Sequence, residues 1–196
     1  DAMNQLGIYG ACYKISILMT IFIQAYKYAA EPFFFSKEKD KDAKQTYARM
    51  MDYFVMVTSL IFLGTALFLN DVLIYFIGPD FRSGAAIIPI LLMANLFLGI
   101  YYNLSIWYKL TNQTIYGAYI SLIGAALTFL LNFLWIPIFG YIGSAWATFV
   151  CYFAMMALSF FWGQKHYPIE YNLTKICGYI LFSFSLYYIN SFIILD

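Results

Sequence analysis

Charge is the scarcest commodity in this chain. Asp, Glu, Lys and Arg together make up 11% of it, against roughly 25% in an ordinary soluble domain. That is too little to clothe a water-exposed surface. It excludes a soluble globule, a disordered chain and a basic nucleic-acid-binding face. Histidine occurs once, as His166, and the cysteines are Cys12, Cys151 and Cys177. They form no CxxC pair and have no histidine beside them, so they read as small buried hydrophobes rather than a disulfide or metal frame. A metal centre, a Cys–His pair and a Ser–His–Asp triad all lack their parts. There is no glycine-rich loop ending in Lys-Ser or Lys-Thr to cradle phosphates. No catalytic residue, metal or cofactor is expected, and the chain does not read as an enzyme.

What the chain has in abundance is apolar surface. Of its 196 residues 63% are hydrophobic, and the mean hydropathy is +0.73. An integral membrane protein is the expectation. A helix needs about 20 apolar residues to cross about 30 Å of hydrocarbon. Six stretches qualify, at about residues 8–34, 50–69, 85–107, 115–136, 144–163 and 173–195. Each is too long for a barrel strand and none alternates polar with apolar. Helices are then the way to satisfy the backbone in lipid. The predicted fold class is all-α, a polytopic helical bundle in a single transmembrane domain. The chain begins Asp1-Ala2-Met3 without a signal-peptide pattern and stops at Asp196 after an apolar run. Both ends read as cuts in a longer protein.

Basic residues set the orientation. The connections at 36–49, 108–114 and 164–172 hold Lys37, Lys39, Lys41, Lys44, Arg49, Lys109 and Lys165, and the other two hold Arg82 alone. Those three connections are expected to be cytoplasmic. Trp107 and Trp162 then fall at cytoplasmic ends and Trp135 and Trp146 near outer ends, where indole favours the headgroup boundary with its N–H wet. The Asn-x-Ser/Thr matches at Asn103, Asn112 and Asn172 fall in spans or cytoplasmic loops and are not read as glycosylation sites.

Ionisable groups inside spans are costly and mark candidate sites. Lys14 lies about a third of the way into the first span. Two readings stand for it: it faces a water-filled cavity and attracts an anion, or it snorkels to the outer headgroups. Lys27 and Glu31 are four residues apart on one helical face and can pair. Asp52 opens the second span as an interfacial residue. Gln24, Asn95, Asn103 and Asn132 are polar residues within spans, expected to bond across helices. Pro89 should bend the third span. Gly117, Ser121, Gly124, Ala125 and Thr128 form a small-residue stripe on the fourth span, and Gly143, Ala147 and Cys151 another on the fifth.

The order of landmarks carries a resemblance. Gly7-Ile8-Tyr9-Gly10-Ala11-Cys12-Tyr13-Lys14 opens the first span and Glu31-Pro32 closes it. Then come Ile77-Gly78-Pro79-Asp80-Phe81-Arg82, Ala85-Ala86-Ile87-Ile88-Pro89, and the run from Ile136-Pro137 through Gly140 and Gly143-Ser144-Ala145 to Thr148. The series resembles the C-terminal half of polysaccharide-biosynthesis flippases, the O-antigen type within the multidrug/oligosaccharidyl-lipid/polysaccharide superfamily. The resemblance implies two helical bundles about a central cavity, working by alternating access in a bacterial inner membrane. It implies a lipid-linked oligosaccharide of the undecaprenyl-diphosphate type as substrate, with Lys14 as a cavity lysine and Lys27 and Glu31 as further candidates. Membrane lipids are implied partners, as are a polysaccharide polymerase and other assembly enzymes; nucleic acid is not.

Three rivals stay open. A multidrug cation antiporter of the same superfamily would need a membrane-embedded carboxylate. A membrane glycan ligase or polymerase would need a large outer loop bearing Arg, His or Asp. A structural membrane subunit would need neither.

Overall fold

The computed structural model describes residues 2–195, and of Ala2 and residues 191–195 the backbone alone; Asp1 and Asp196, the two expected cut ends, lie outside the described residues. The chain is all-α. Its helices are α1 (Ala2–Lys37), α2 (Ala43–Leu67), α3 (Leu69–Phe76), α4 (Ile87–Leu104), α5 (Ile106–Leu110), α6 (Ile115–Phe139), α7 (Tyr141–His166) and α8 (Leu173–Leu195), with a 3₁₀ turn at Pro79–Gly84. Among the described residues, five segments are long and apolar enough to cross a membrane: Met3–Lys37, Ala43–Leu67, Ile87–Leu110, Ile115–Phe139 and Tyr141–His166. The last expected span coincides with α8, a 23-residue helix that is not among those five. This is a membrane protein built as a polytopic helical bundle.

Several expected boundaries move, each for a local reason. The first span does not stop at Pro32. A helix tolerates the lost N–H of Pro32 where the freed carbonyl is accessible, and Tyr28, four residues earlier, is exposed. The helix runs on because Phe34 packs edge-on against Tyr47 at 5.1 Å. The Tyr47 hydroxyl donates to the Phe34 carbonyl at 2.8 Å, satisfying one of the last orphan carbonyls of α1. The charged stretch after it is therefore mostly helix, and the connection shrinks to residues 38–42.

Pro89 does not bend the third span. It lies in the first turn of α4, where an N–H has no intrahelical partner to lose. The break falls instead at Ser105, between α4 and α5. Pro137, expected in a loop, lies inside α6. The connection to α7 is Gly140 alone, at φ 59° and ψ −139°, a conformation that only glycine adopts without strain. The short helix α3 corresponds to no expected span; Asp71 sits in its first turn, where the helix dipole favours an acid.

α4 is the axis of the bundle. Its best apolar window is 83% buried, against 6% for that of α6. It packs on α7, α1 and α2; α6 packs on α7, and α8 on α2. The two small-residue stripes lie at close helix contacts, chiefly between α6 and α7. A methyl on Gly124 would sit 2.7 Å from Met155 Sδ, and one on Gly143 would sit 2.6 Å from the Trp135 carbonyl oxygen. Cys151 Sγ reaches the Gly124 carbonyl at 3.2 Å.

The helix directions bring like ends together. Ala30, Phe34, Ala43, Tyr47, Ile106, Leu110 and Ile169 share one core cluster. The connections at 38–42, 111–114 and 167–172 thus crowd one end, the end that holds the basic residues. At the other end the 3₁₀ turn clasps α1, with Gly84 so close that a methyl there would meet Ile8 Cγ2 at 2.5 Å. Tyr141 closes the same end by donating to the Ser83 carbonyl at 3.3 Å.

Candidate functional site

Helical periodicity organises the polar residues of α1. Tyr9, Tyr13, Thr20, Gln24, Lys27 and Glu31 recur at spacings near a helical turn or two. At 100° per residue they fall within an arc of about 60°. The arc flanks the buried face carrying Cys12, Met19 and Ile23. It meets Tyr102 of α4 and Tyr152 of α7, both half-buried. Tyr152 is within electrostatic reach of Tyr9, Tyr13 and Tyr102. A polar track therefore runs the length of the bundle through a shell that is otherwise apolar.

The track ends in a charged cleft between α1 and α4–α5, lined among others by Tyr26, Lys27, Glu31, Tyr102, Asn103 and Lys109. Lys109 Nζ pairs with Glu31 Oε1 at 2.8 Å. Lys27 Nζ lies over the Tyr102 ring, 4.5 Å from its centroid, a cation–π contact. The expected Lys27–Glu31 pair is thus replaced. Glu31 faces α5, which the break at Ser105 turns toward it, and Lys27 finds an aromatic face on α4. The Tyr26 hydroxyl donates to Asn103 Oδ1 at 2.7 Å, and Asn103 Nδ2 donates to the Gly99 carbonyl at 3.2 Å. Below the cleft, Tyr167 and Tyr171 close the basic end. Burial raises both phenols above their ordinary value, most strongly for Tyr171, so both stay neutral.

The other expected residues are distributed as follows. Asn103 bonds across helices as anticipated, and Asn95 does so by donating to the Ser16 carbonyl at 3.5 Å. Asn132 does not: it donates to Thr128 of its own helix at 2.8 Å, because α6 has a packed neighbour on one side only. Gln24 is half-buried on the track. Lys14 is exposed on α1 beside Ile17 and Leu18, roughly a quarter-turn or more from the track. Asp52 is half-buried on α2, about one helical turn from Arg49, with Oδ1 buried and without a partner among the described residues.

Trp107 corrects the headgroup-belt expectation. Its ring is 2% exposed, its Nε1–H donates to the Ser159 carbonyl at 3.1 Å, and it stacks on His166 at 5.4 Å. It pins α5 to α7 from inside. The residues missed in the sequence are Tyr9, Tyr13, Tyr26, Tyr102, Lys109 and Tyr152. The α1 members carried a readable signal in their spacing; the others are joined to it only by helix packing.

Among the described residues, no group of three or more His, Cys, Asp or Glu side chains is placed to hold a metal ion. Beside the track lies an apolar groove of about 490 Å³ between α7 and α8, floored by Phe97, Ile100 and Leu104 of α4. Comparison with protein-family models, with curated proteins and with solved structures found no match.

Proposed function

We propose that this chain is a helical bundle of a flippase that carries a lipid-linked oligosaccharide across a bacterial inner membrane by alternating access, for surface polysaccharide synthesis. The observation that carries the reading is the polar track ending in the Lys27–Glu31–Lys109 cleft. A passenger with a polar head and an apolar tail needs a hydrated path through hydrocarbon for the head, and the lipid itself for the tail. The cleft holds two ammonium groups and one carboxylate; at about 10 Å³ it has room for about one water, so its net positive charge would take a diphosphate at the cytoplasmic mouth only as the helices part and the Lys109–Glu31 pair opens. The basic end of the bundle is the cytoplasmic one in this reading. Lys14 lies outside this track, exposed on a face of α1 that also carries Ile17, Leu18 and Ile21, where another bundle would close the cavity.

The test is genetic and chemical. The gene is deleted, and surface glycan and lipid-linked precursor are measured after complementation with wild type, Lys27→Ala or Lys14→Ala. Loss of surface glycan with precursor trapped in the inner leaflet, rescued by wild type and not by Lys27→Ala, is the expected result. Normal glycan in the deletion strain refutes the reading. Full rescue by Lys14→Ala makes Lys14 a snorkelling anchor.

One observation favours a second reading, cation-coupled drug export. The buried, partnerless Oδ1 of Asp52 is the kind of embedded carboxylate that such an antiporter uses to carry a proton. Under that reading Asp52→Asn abolishes drug export while surface glycan stays intact.

A further inference from the structure

Four tyrosines of the track share a property that the charged cleft does not. Tyr9, Tyr13, Tyr102 and Tyr152 are half-buried, and all four pack on the main core cluster. Tyr9 and Tyr13 stack with centroids 5.9 Å apart and planes 22° apart. Among the described residues, none of their hydroxyls has a hydrogen-bond partner, whereas those of Tyr26, Tyr47, Tyr101, Tyr108 and Tyr141 do. A phenol hydroxyl left unpaired in hydrocarbon costs about 1–3 kcal/mol. Four such groups along one line mark where water or a polar ligand meets the helices.

The chemistry of the line narrows the ligand. It contains no carboxylate and no ammonium until Lys27 at its end. Lys27 already covers one face of Tyr102 at 4.5 Å, so an aromatic cage for a cationic ligand is opposed by like charge. Aromatic faces are negative and attract weakly positive C–H groups. Free hydroxyls donate to and accept from other hydroxyls. A pyranose ring offers both, with C–H groups on its faces and hydroxyls at its rim.

We propose that Tyr9, Tyr13, Tyr102 and Tyr152 form a subsite for the uncharged sugar units of the carried molecule; this rests on the transport reading above. The diphosphate then sits at Lys27 and Lys109 while sugar rings lie along the tyrosines toward the other end of the bundle.

The experiment uses the complete protein in nanodiscs and two probes: a polyprenyl diphosphate bearing a neutral tetrasaccharide, long enough to reach Tyr13 about 21 Å along α1 from Lys27, and the same lipid without sugar. In wild type the tetrasaccharide is expected to tighten binding by about tenfold, the scale of two aromatic contacts. Tyr13→Ala/Tyr152→Ala should bind both probes at the sugar-free level, its retained affinity for the bare lipid showing that it is folded. Tyr13→Phe/Tyr152→Phe, which keeps the rings, should retain about threefold. Equal binding of the two probes by wild type overturns the sugar subsite and leaves the transport reading standing. A full sugar gain in the alanine variant also overturns it. Binding of neither probe, or of a quaternary ammonium in their place, overturns both.

Discussion

Gly99→Ala tests the packing on which the track depends. Gly99 lies on α4 at its crossing with α1 and α2. A methyl there would stand 2.3 Å from Phe54 Cζ, 2.8 Å from Phe54 Cε1 and 3.3 Å from Ile23 Cγ1. Carbon atoms rest about 3.5–4.0 Å apart, so the ring must retreat by about 1.2 Å. It has little room: Phe54 is 2% exposed, with the Tyr26 ring 4.6 Å away on one side and the Phe22 ring 6.3 Å away. Overpacking of this kind costs about 1–3 kcal/mol. The gain in helix propensity from glycine to alanine returns about 0.5–1 kcal/mol. The net expectation is a loss of about 1–2 kcal/mol. Gly64 and Gly178 are internal controls, because a methyl on either meets nothing within 4 Å; alanine at those sites should be neutral or stabilising by up to about 1 kcal/mol. The assay is equilibrium unfolding by SDS in mixed micelles, with tryptophan fluorescence and helicity as readouts. Gly99→Ala should also disturb the Tyr26–Asn103 hydrogen bond, since Asn103 leans on the Gly99 carbonyl at 3.2 Å. If Gly99→Ala is as stable as Gly64→Ala, α4 does not approach its neighbours as closely as described, and the juxtaposition of Tyr26, Lys27 and Tyr102 loses its basis.

Three further outcomes are expected. A double-mutant cycle on Glu31→Ala and Lys109→Ala should show coupling of about 1 kcal/mol or less, the pair being partly exposed; zero coupling with unchanged substrate binding would refute a paired cleft. Trp107→Phe should cost about 1–3 kcal/mol by leaving the buried Ser159 carbonyl without its indole donor, measured by the same SDS titration, and a neutral result would mean that α5 is not pinned to α7 there. Lys39→Cys should resist a membrane-impermeant thiol reagent added to intact cells while Asp80→Cys reacts, and the reverse pattern would invert the orientation.

The sequence discloses the helices more readily than their meetings. Length and hydropathy depend on one segment at a time, so five of the six expected stretches are legible as spans, although α2 begins seven residues before its expected start and α8 is a helix outside those five. Their ends were less so. Pro32 and Pro137 look like stops, but the carbonyls they free four residues earlier belong to Tyr28 and Phe133, both exposed. Ser105 gives no local sign that the third span breaks there. The candidate site divides the same way. The spacing of Tyr9, Tyr13, Gln24, Lys27 and Glu31 could be read from periodicity, while Tyr102, Lys109 and Tyr152 join them only because α4 and α7 lie parallel to α1. Glu31 shows the limit of local reasoning: its neighbour at i−4 is the obvious partner, yet the cation it meets lies 78 residues away.

Lys109 has two roles at once. It counts among the basic residues that orient the chain, yet it is also neutralised by Glu31 at 2.8 Å. Lys37 is likewise paired with Asp40 at 2.8 Å. Setting both aside leaves Lys39, Lys41, Lys44, Arg49 and Lys165 at one end of the bundle, against Arg82 at the other. Acidic residues also contribute little to the orienting rule. The asymmetry therefore survives the pairing. Lys109 can therefore act in the cleft without weakening that asymmetry, and under the proposed orientation the cleft faces the side from which a newly made lipid-linked sugar would enter.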